Sequence, residues 1–128
     1  MSPNFLCALV MGFTICVQDG HAKKARTIYL NEKKTESVFV IPGESTILSF
    51  PTRPTKVILG NSGLFAVQYV ESDLAVSALR GGVHSNMFVY VEGRRFGFDL
   101  RAVSSGGDGV VLVRDTVEEK VKVKIKNE

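Results

Sequence analysis

His84 stands beside Ser85, and three acids, Asp73, Asp99 and Asp108, are spread over the second half of the chain. These residue types suit nucleophilic hydrolysis, which needs a base, a nucleophile and an orienting group converging in space. Sequence neighbours on a strand point to opposite faces, so adjacency of His84 and Ser85 does not create such a site. His84 also follows Gly81-Gly82-Val83 and is expected in a loop. Metal binding needs clustered His, Cys or carboxylate ligands, and the three acids stand apart. Gly106-Gly107-Asp108-Gly109 is rich in glycine but precedes a strand, with no helix N-terminus behind it to hold a phosphate. The expectation is a chain with no catalytic, cofactor or metal site, not an enzyme, that works by surface contact.

The elements that would carry that surface read as strands. In Arg94-Arg95-Phe96-Gly97-Phe98-Asp99-Leu100-Arg101, one face holds Phe96, Phe98 and Leu100. The other holds Arg95, Gly97, Asp99 and Arg101. Period-2 alternation is that of a strand with one buried and one wet face. Asp99 is placed to pair with Arg101, a surface ion pair worth about 0–1 kcal/mol. Glu92-Gly93-Arg94 supplies a turn to the preceding strand, Ser85 to Val91, with Gly93 free to take positive φ.

Similar apolar runs recur along the chain. They are Thr27-Ile28-Tyr29-Leu30, Ser37-Val38-Phe39-Val40-Ile41, Thr46-Ile47-Leu48-Ser49-Phe50 and Lys56-Val57-Ile58-Leu59. Residues 65–70, residues 74–79 and Gly109 to Arg114 follow. Pro42-Gly43, Pro51, Pro54, Gly60-Asn61-Ser62-Gly63 and Gly81-Gly82 break them. The Ala-containing run at 74–79 also admits a helix. Residues 104–109 read as a flexible loop. Eight or nine short strands at this spacing predict an all-β fold, a single β-sandwich over residues 23–116. No stretch after residue 22 combines helical period with caps.

The tail, residues 117–128, alternates Val121, Val123 and Ile125 with Lys120, Lys122, Lys124 and Lys126. It reads as a basic terminal strand or tail, most simply an edge strand that lysines protect from indiscriminate pairing. The alternative is a basic ribbon for phosphate, lipid headgroups or an acidic groove. The candidate contact residues are therefore Gly81, Gly82, His84 and Asn86 in the loop and strand start, and Lys122, Lys124 and Lys126 in the tail.

Composition sets the frame. The 128 residues are 45% hydrophobic and 23% charged, which suits one globular domain with a sizeable core. Residues 5–17 form an uncharged apolar run, too short to span a bilayer as a helix but fitting the core of an export signal. Gly20-His21-Ala22 places small residues for cleavage after Ala22, although Ser2, Pro3 and Asn4 bring no positive charge. Both cysteines, Cys7 and Cys16, lie in this segment, so residues 1–22 are the expected signal peptide and the remaining domain has no disulfide framework. Ile15 before Cys16 argues against lipidation. The remaining chain, with 16 basic and 12 acidic residues, carries +4. Those charges are scattered rather than clustered outside the tail, so a nucleic-acid partner is not expected.

Three stretches resemble the N-terminal β-domain of the conjugal transfer TrbG/CagX family, periplasmic subunits of type IV secretion channels. They are the bend and strand Phe50-Pro51-Thr52-Arg53-Pro54-Thr55-Lys56-Val57-Ile58-Leu59, the loop and strand from Leu79-Arg80-Gly81-Gly82 through Ser85-Asn86 to Val91, and the aromatic strand Arg94 to Leu100. The resemblance covers residues 37 to 102. It implies an exported structural or assembly subunit of an envelope-spanning secretion or conjugation apparatus, periplasmic and associated with the cell envelope. Its partners would be other apparatus subunits and further copies of itself, with no small-molecule substrate and with membrane association through those partners. Family members continue into a second β-domain that contacts a small lipoprotein; this chain stops at Glu128, and that docking is not carried over. Pro42-Gly43-Glu44-Ser45 also resembles a bend in the N-terminal domain of pilus-assembly secretins. A secretin-type domain and a monomeric periplasmic binding module are the alternatives.

Overall fold

A computed structural model describes residues 25–127 of the chain. The expected signal segment, with Cys7 and Cys16, lies outside the described residues. Nine strands and one helix follow one another: β1 (Ala25–Leu30), β2 (Thr35–Val40), β3 (Ser45–Ser49), β4 (Lys56–Leu59), β5 (Phe65–Val70), β6 (Asp73–Ala78), β7 (His84–Val91), β8 (Arg94–Ala102), β9 (Val110–Asp115) and α1 (Thr116–Lys126). The strands make two packed sheets, one in the order β1-β9-β3-β6-β5 and the other β2-β8-β7-β4. The fold is an all-β sandwich. Residues 74–79, where a helix was also admissible, lie in β6 and the turn after it.

The core follows from the alternation. Phe96, Phe98 and Leu100 of β8 are buried, and so are Met87 and Val89 across from Phe98 and Phe96 on β7, and Val91 further along that strand. From the other sheet come Ile28, Leu30, Leu48, Phe65, Leu74, Val76, Val111 and Val113. Phe98 is completely buried and meets Phe50 edge-on at a ring-centroid distance of 6.3 Å. That is a favoured aromatic geometry.

Sheet changes occur where turn chemistry allows them. The chain passes from one sheet to the other at residues 31–34, at the Pro42-Gly43 turn and at the Pro51–Pro54 bend. The later strands β8 and β9 then come in beside strands laid down before these crossings and run the same way as they do. Hence β1 and β3 both pair in parallel with β9, and β2 pairs in parallel with β8. The β7–β8 hairpin closes on two residues, Glu92 at φ 50° and Gly93 at φ 76°. Two successive positive φ values twist the turn in the sense that the flanking strands need. Arg94, expected in the turn, already belongs to β8 and pairs with Val91.

The tail departs from the expected strand. Residues 116–126 form α1, and the sandwich ends at Asp115 rather than at residue 116. A strand must find a neighbour for its backbone, and β9, from which the tail emerges, is flanked by β1 and β3 on its two sides. A helix satisfies its backbone internally. Asp115 caps it, its carboxylate accepting from the Val117 N–H at 2.9 Å. Lys124 and Lys126 lie in the last turn, where cations suit the helix dipole.

Candidate functional site

The expected contact residues are divided between opposite ends of the sandwich. Gly81 and Gly82 form the β6–β7 turn, with Gly82 at φ 71°. This turn borders a shallow groove with Ile41, Pro42, Val103 and Ser104. Leu79, two residues earlier, is 56% exposed. His84 is not a loop residue: it opens β7, exposed, opposite Arg101 of β8. The β7–β8 ladder reaches it because the hairpin stays in register for its whole length. Ser85, its neighbour, points inward and its hydroxyl accepts from the Asn61 N–H at 2.9 Å, so the two share no face.

Asn86 lies on the outer face opposite Asp99. Its carbonyl accepts from the Gly60 N–H at 2.9 Å. A Cβ on Gly60 would meet the Asn86 side-chain oxygen, so a larger residue there has to turn the exposed Asn86 side chain aside. Asp99 pairs with Arg101 at 2.8 Å, as its place on the strand leads one to expect. Beside this polar patch, Phe88 lies over Gly97, where an added Cβ would press on the Phe88 ring at 3.3 Å. Ile58, next in the same row, is 43% exposed. The outer face of this sheet is thus a mixed apolar and charged surface running from the loop end.

The lysines lie at the other end. In a helix Lys122 and Lys126 share a side, while Lys124 is turned about 200° from Lys122. The single lysine face expected of a strand does not form. Val117, Val121 and Ile125 instead fall into one i, i+4 stripe, all of them exposed.

Two ionic clusters escaped the sequence. Asp108, expected to be an isolated acid in a flexible loop, is bonded through both its side chain and its backbone on the β1–β2 flank. Its carboxylate accepts from Arg26 Nε at 2.8 Å, from Arg26 Nη2 at 2.9 Å and from the Phe39 N–H at 2.9 Å. Its own N–H donates to the Phe39 carbonyl at 2.7 Å. Its carbonyl accepts from the buried Thr46 hydroxyl at 2.7 Å. Arg26 Nη2 also donates to the Ser37 carbonyl. One residue therefore fastens β1, β2 and β3 together ahead of β9. The Arg26 guanidinium is held above its ordinary pKa, chiefly by the hydrogen bonds to Asp108.

Asp115 anchors the opposite end. Arg94 grips it with two bonds, Nε to Oδ2 at 2.7 Å and Nη2 to Oδ1 at 2.9 Å. Arg94 Nη1 reaches Glu32 at 3.0 Å. Burial pushes the Asp115 carboxyl up, but the Arg94 bonds, the Val117 N–H and the Arg94 charge outweigh it, leaving its pKa below the ordinary value. The same carboxylate thus ties the hairpin turn to the helix start. A faint signal for this cluster existed in the sequence, an Asp followed three residues later by Glu118, the spacing that opens a helix.

Among the described residues, no helix is long and apolar enough to cross a membrane. No protein-family model matches this chain, and no curated protein matches it significantly.

Proposed function

We propose that this chain is an exported structural subunit that builds an envelope-spanning secretion or conjugation apparatus of the type IV kind, through protein–protein contact. The observation that carries the contact reading is the loop end of the sandwich. There the Gly81-Gly82 turn and the Pro42 turn border a groove, Leu79 stands exposed two residues before that glycine turn, and the mixed outer face of the β7–β8 hairpin lies beside it. Apolar groups rimmed by polar ones, held on a fixed scaffold, are the usual make-up of a protein interface. The assignment to such an apparatus rests on the resemblance of residues 37 to 102. Its location in the periplasm rests on the apolar run at residues 5–17.

Two measurements test the proposal. N-terminal sequencing of the protein from the periplasmic fraction should begin at or near Lys23; recovery of only the intact chain in the cytosol would refute export. Envelope extracts should yield channel subunits with the wild-type protein and fewer with Leu79→Asp. Equal recovery would remove the loop end from the interface, and recovery of no channel subunit by either protein would favour a monomeric binding module.

A further inference from the structure

The two sheets have four edges, and they are not equally guarded. On β2, the free N–H and C=O of Phe39 are both taken by Asp108, and the Ser37 carbonyl is taken by Arg26. β4 is only four residues long, carries Lys56 and has Pro54 just before it. β1 carries Arg26, whose guanidinium reaches across to β2. The fourth edge, β5, reads Phe65-Ala66-Val67-Gln68-Tyr69-Val70, six residues without a charge, a proline or a glycine. Natural edge strands are usually blunted by just those features, because an open ladder invites another strand.

The phase of the open ladder follows from the pairing. β5 runs antiparallel to β6, with Phe65 opposite Ala78 and Val70 opposite Asp73. The Leu79 N–H donates to the Leu64 carbonyl at 2.9 Å, which marks Leu64 and Leu79 as a hydrogen-bonded pair. Such pairs alternate along an antiparallel ladder. Ala66, Gln68 and Val70 therefore spend their backbone groups on β6. Phe65, Val67 and Tyr69 turn theirs outward, and among the described residues no partner takes them.

We infer that β5 is a strand-addition site and that its occupant is β5 of a second copy. This deepens the assembly reading above and rests on it for its role in the cell. An antiparallel pairing centred on Val67 sets Val67 against Val67 and Phe65 against Tyr69 of the second copy. Every outward residue then meets an outward residue, so the whole open ladder is used. Side-chain pairs agree with the backbone. Phe65 with Tyr69 and Val67 with Val67 are aromatic and β-branched pairs of the favoured kind, and Ala66 meets Gln68 on the outer face. No like charges oppose each other. Two five-stranded sheets become one continuous sheet of ten.

Sedimentation velocity of the full chain over a dilution series tests the pairing, with amide hydrogen exchange read at Phe65, Val67 and Tyr69. The expected result is a monomer–dimer equilibrium in which these three amides gain protection as the dimer forms. Ala66→Lys combined with Gln68→Lys sets like charges opposite each other at two exposed positions and should weaken the dimer at least about tenfold, with the circular dichroism melt unchanged. Ala66→Glu combined with Gln68→Glu should do the same alone and restore dimer when mixed with the lysine variant. A wild-type chain that stays monomeric at all concentrations overturns the inference. So does a dimer in which the three amides exchange freely, or protection that appears only with an added extended peptide. These outcomes are independent of export and of capture with channel subunits, so failure here and failure of the proposed function are distinguishable.

Discussion

Replacing Asp108 with Ala removes one side chain that serves two strands, β1 through Arg26 and β2 through Phe39. The substitution deletes two charge-assisted bonds from Arg26 and one bond from the Phe39 N–H, and it leaves the backbone bond from the residue 108 N–H to the Phe39 carbonyl in place. The carboxylate side chain is 12% exposed and that of Arg26 is 36% exposed. Arg26 can therefore turn its freed donors to water, and the ion-pair part must be discounted for screening. The Phe39 N–H is less fortunate, since an unpaired half-buried donor costs about 1–3 kcal/mol. Together the loss should be about 2–3 kcal/mol. Urea unfolding is the assay, and with a slope of about 1–1.5 kcal/mol/M the midpoint should fall by roughly 2 M at unchanged slope. Asp108→Asn keeps an acceptor for Phe39 and should lose about 1 kcal/mol. Arg26→Ala and Asp108→Ala together should cost less than the sum of the two, because they share the same bonds. The Phe39 amide should exchange faster in Asp108→Ala. A stability for Asp108→Ala within about 0.5 kcal/mol of wild type would refute the reasoning and return residues 104–109 to a loosely held loop.

Three further outcomes follow from the same structure. Phe98→Ala should cost about 3–5 kcal/mol, as truncation of a fully buried Phe does, while Arg95→Ala on the wet face should change stability by less than about 0.5 kcal/mol; equal unfolding midpoints would reverse the assigned faces. Asp115 has a lowered pKa in the folded chain, so the unfolded chain binds its proton more tightly, and the stability it contributes is present above the unfolded pKa of about 3.9 and lost as pH falls through the lower folded value. Acid unfolding of Asp115→Asn should therefore show a shallower loss of stability below pH ~4 than wild type, and identical acid profiles would show that the Asp115 carboxylate contributes no pH-dependent stability. Gly93→Ala forces a Cβ onto φ 76° and should lower stability by about 1 kcal/mol in thermal melts, whereas a stabilised protein would mean that the hairpin turn had changed type.

What the residues announced by themselves was whatever depends on near neighbours. Alternation alone places Phe96, Phe98 and Leu100 inward, because side chains on a strand repeat every two residues whatever pairs with it. The same rule puts Asp99 and Arg101 on one face, where they form their ion pair. The positive φ at Gly93 is equally local, a property of a turn too tight for an ordinary residue. Partnership at a distance was not legible. Asp108 looked isolated because its partner Arg26 stands 82 positions away and reaches it only after β1 has paired with β9. His84 looked like a loop residue because glycines precede it, yet the ladder with β8 draws it into β7. Residues 116–126 alternate as a strand would, and their local pattern is compatible with either structure. The tertiary arrangement decided for the helix, since β1 and β3 already occupy both sides of β9 and Asp115, held by Arg94, stands ready as a cap. The same holds for the edges. The sequence of β5 is open to pairing wherever it lies, but only the order of strands in the sheet leaves it at the border with its ladder unspent, because a hydrogen-bonding group is free or taken according to what the rest of the chain brings beside it.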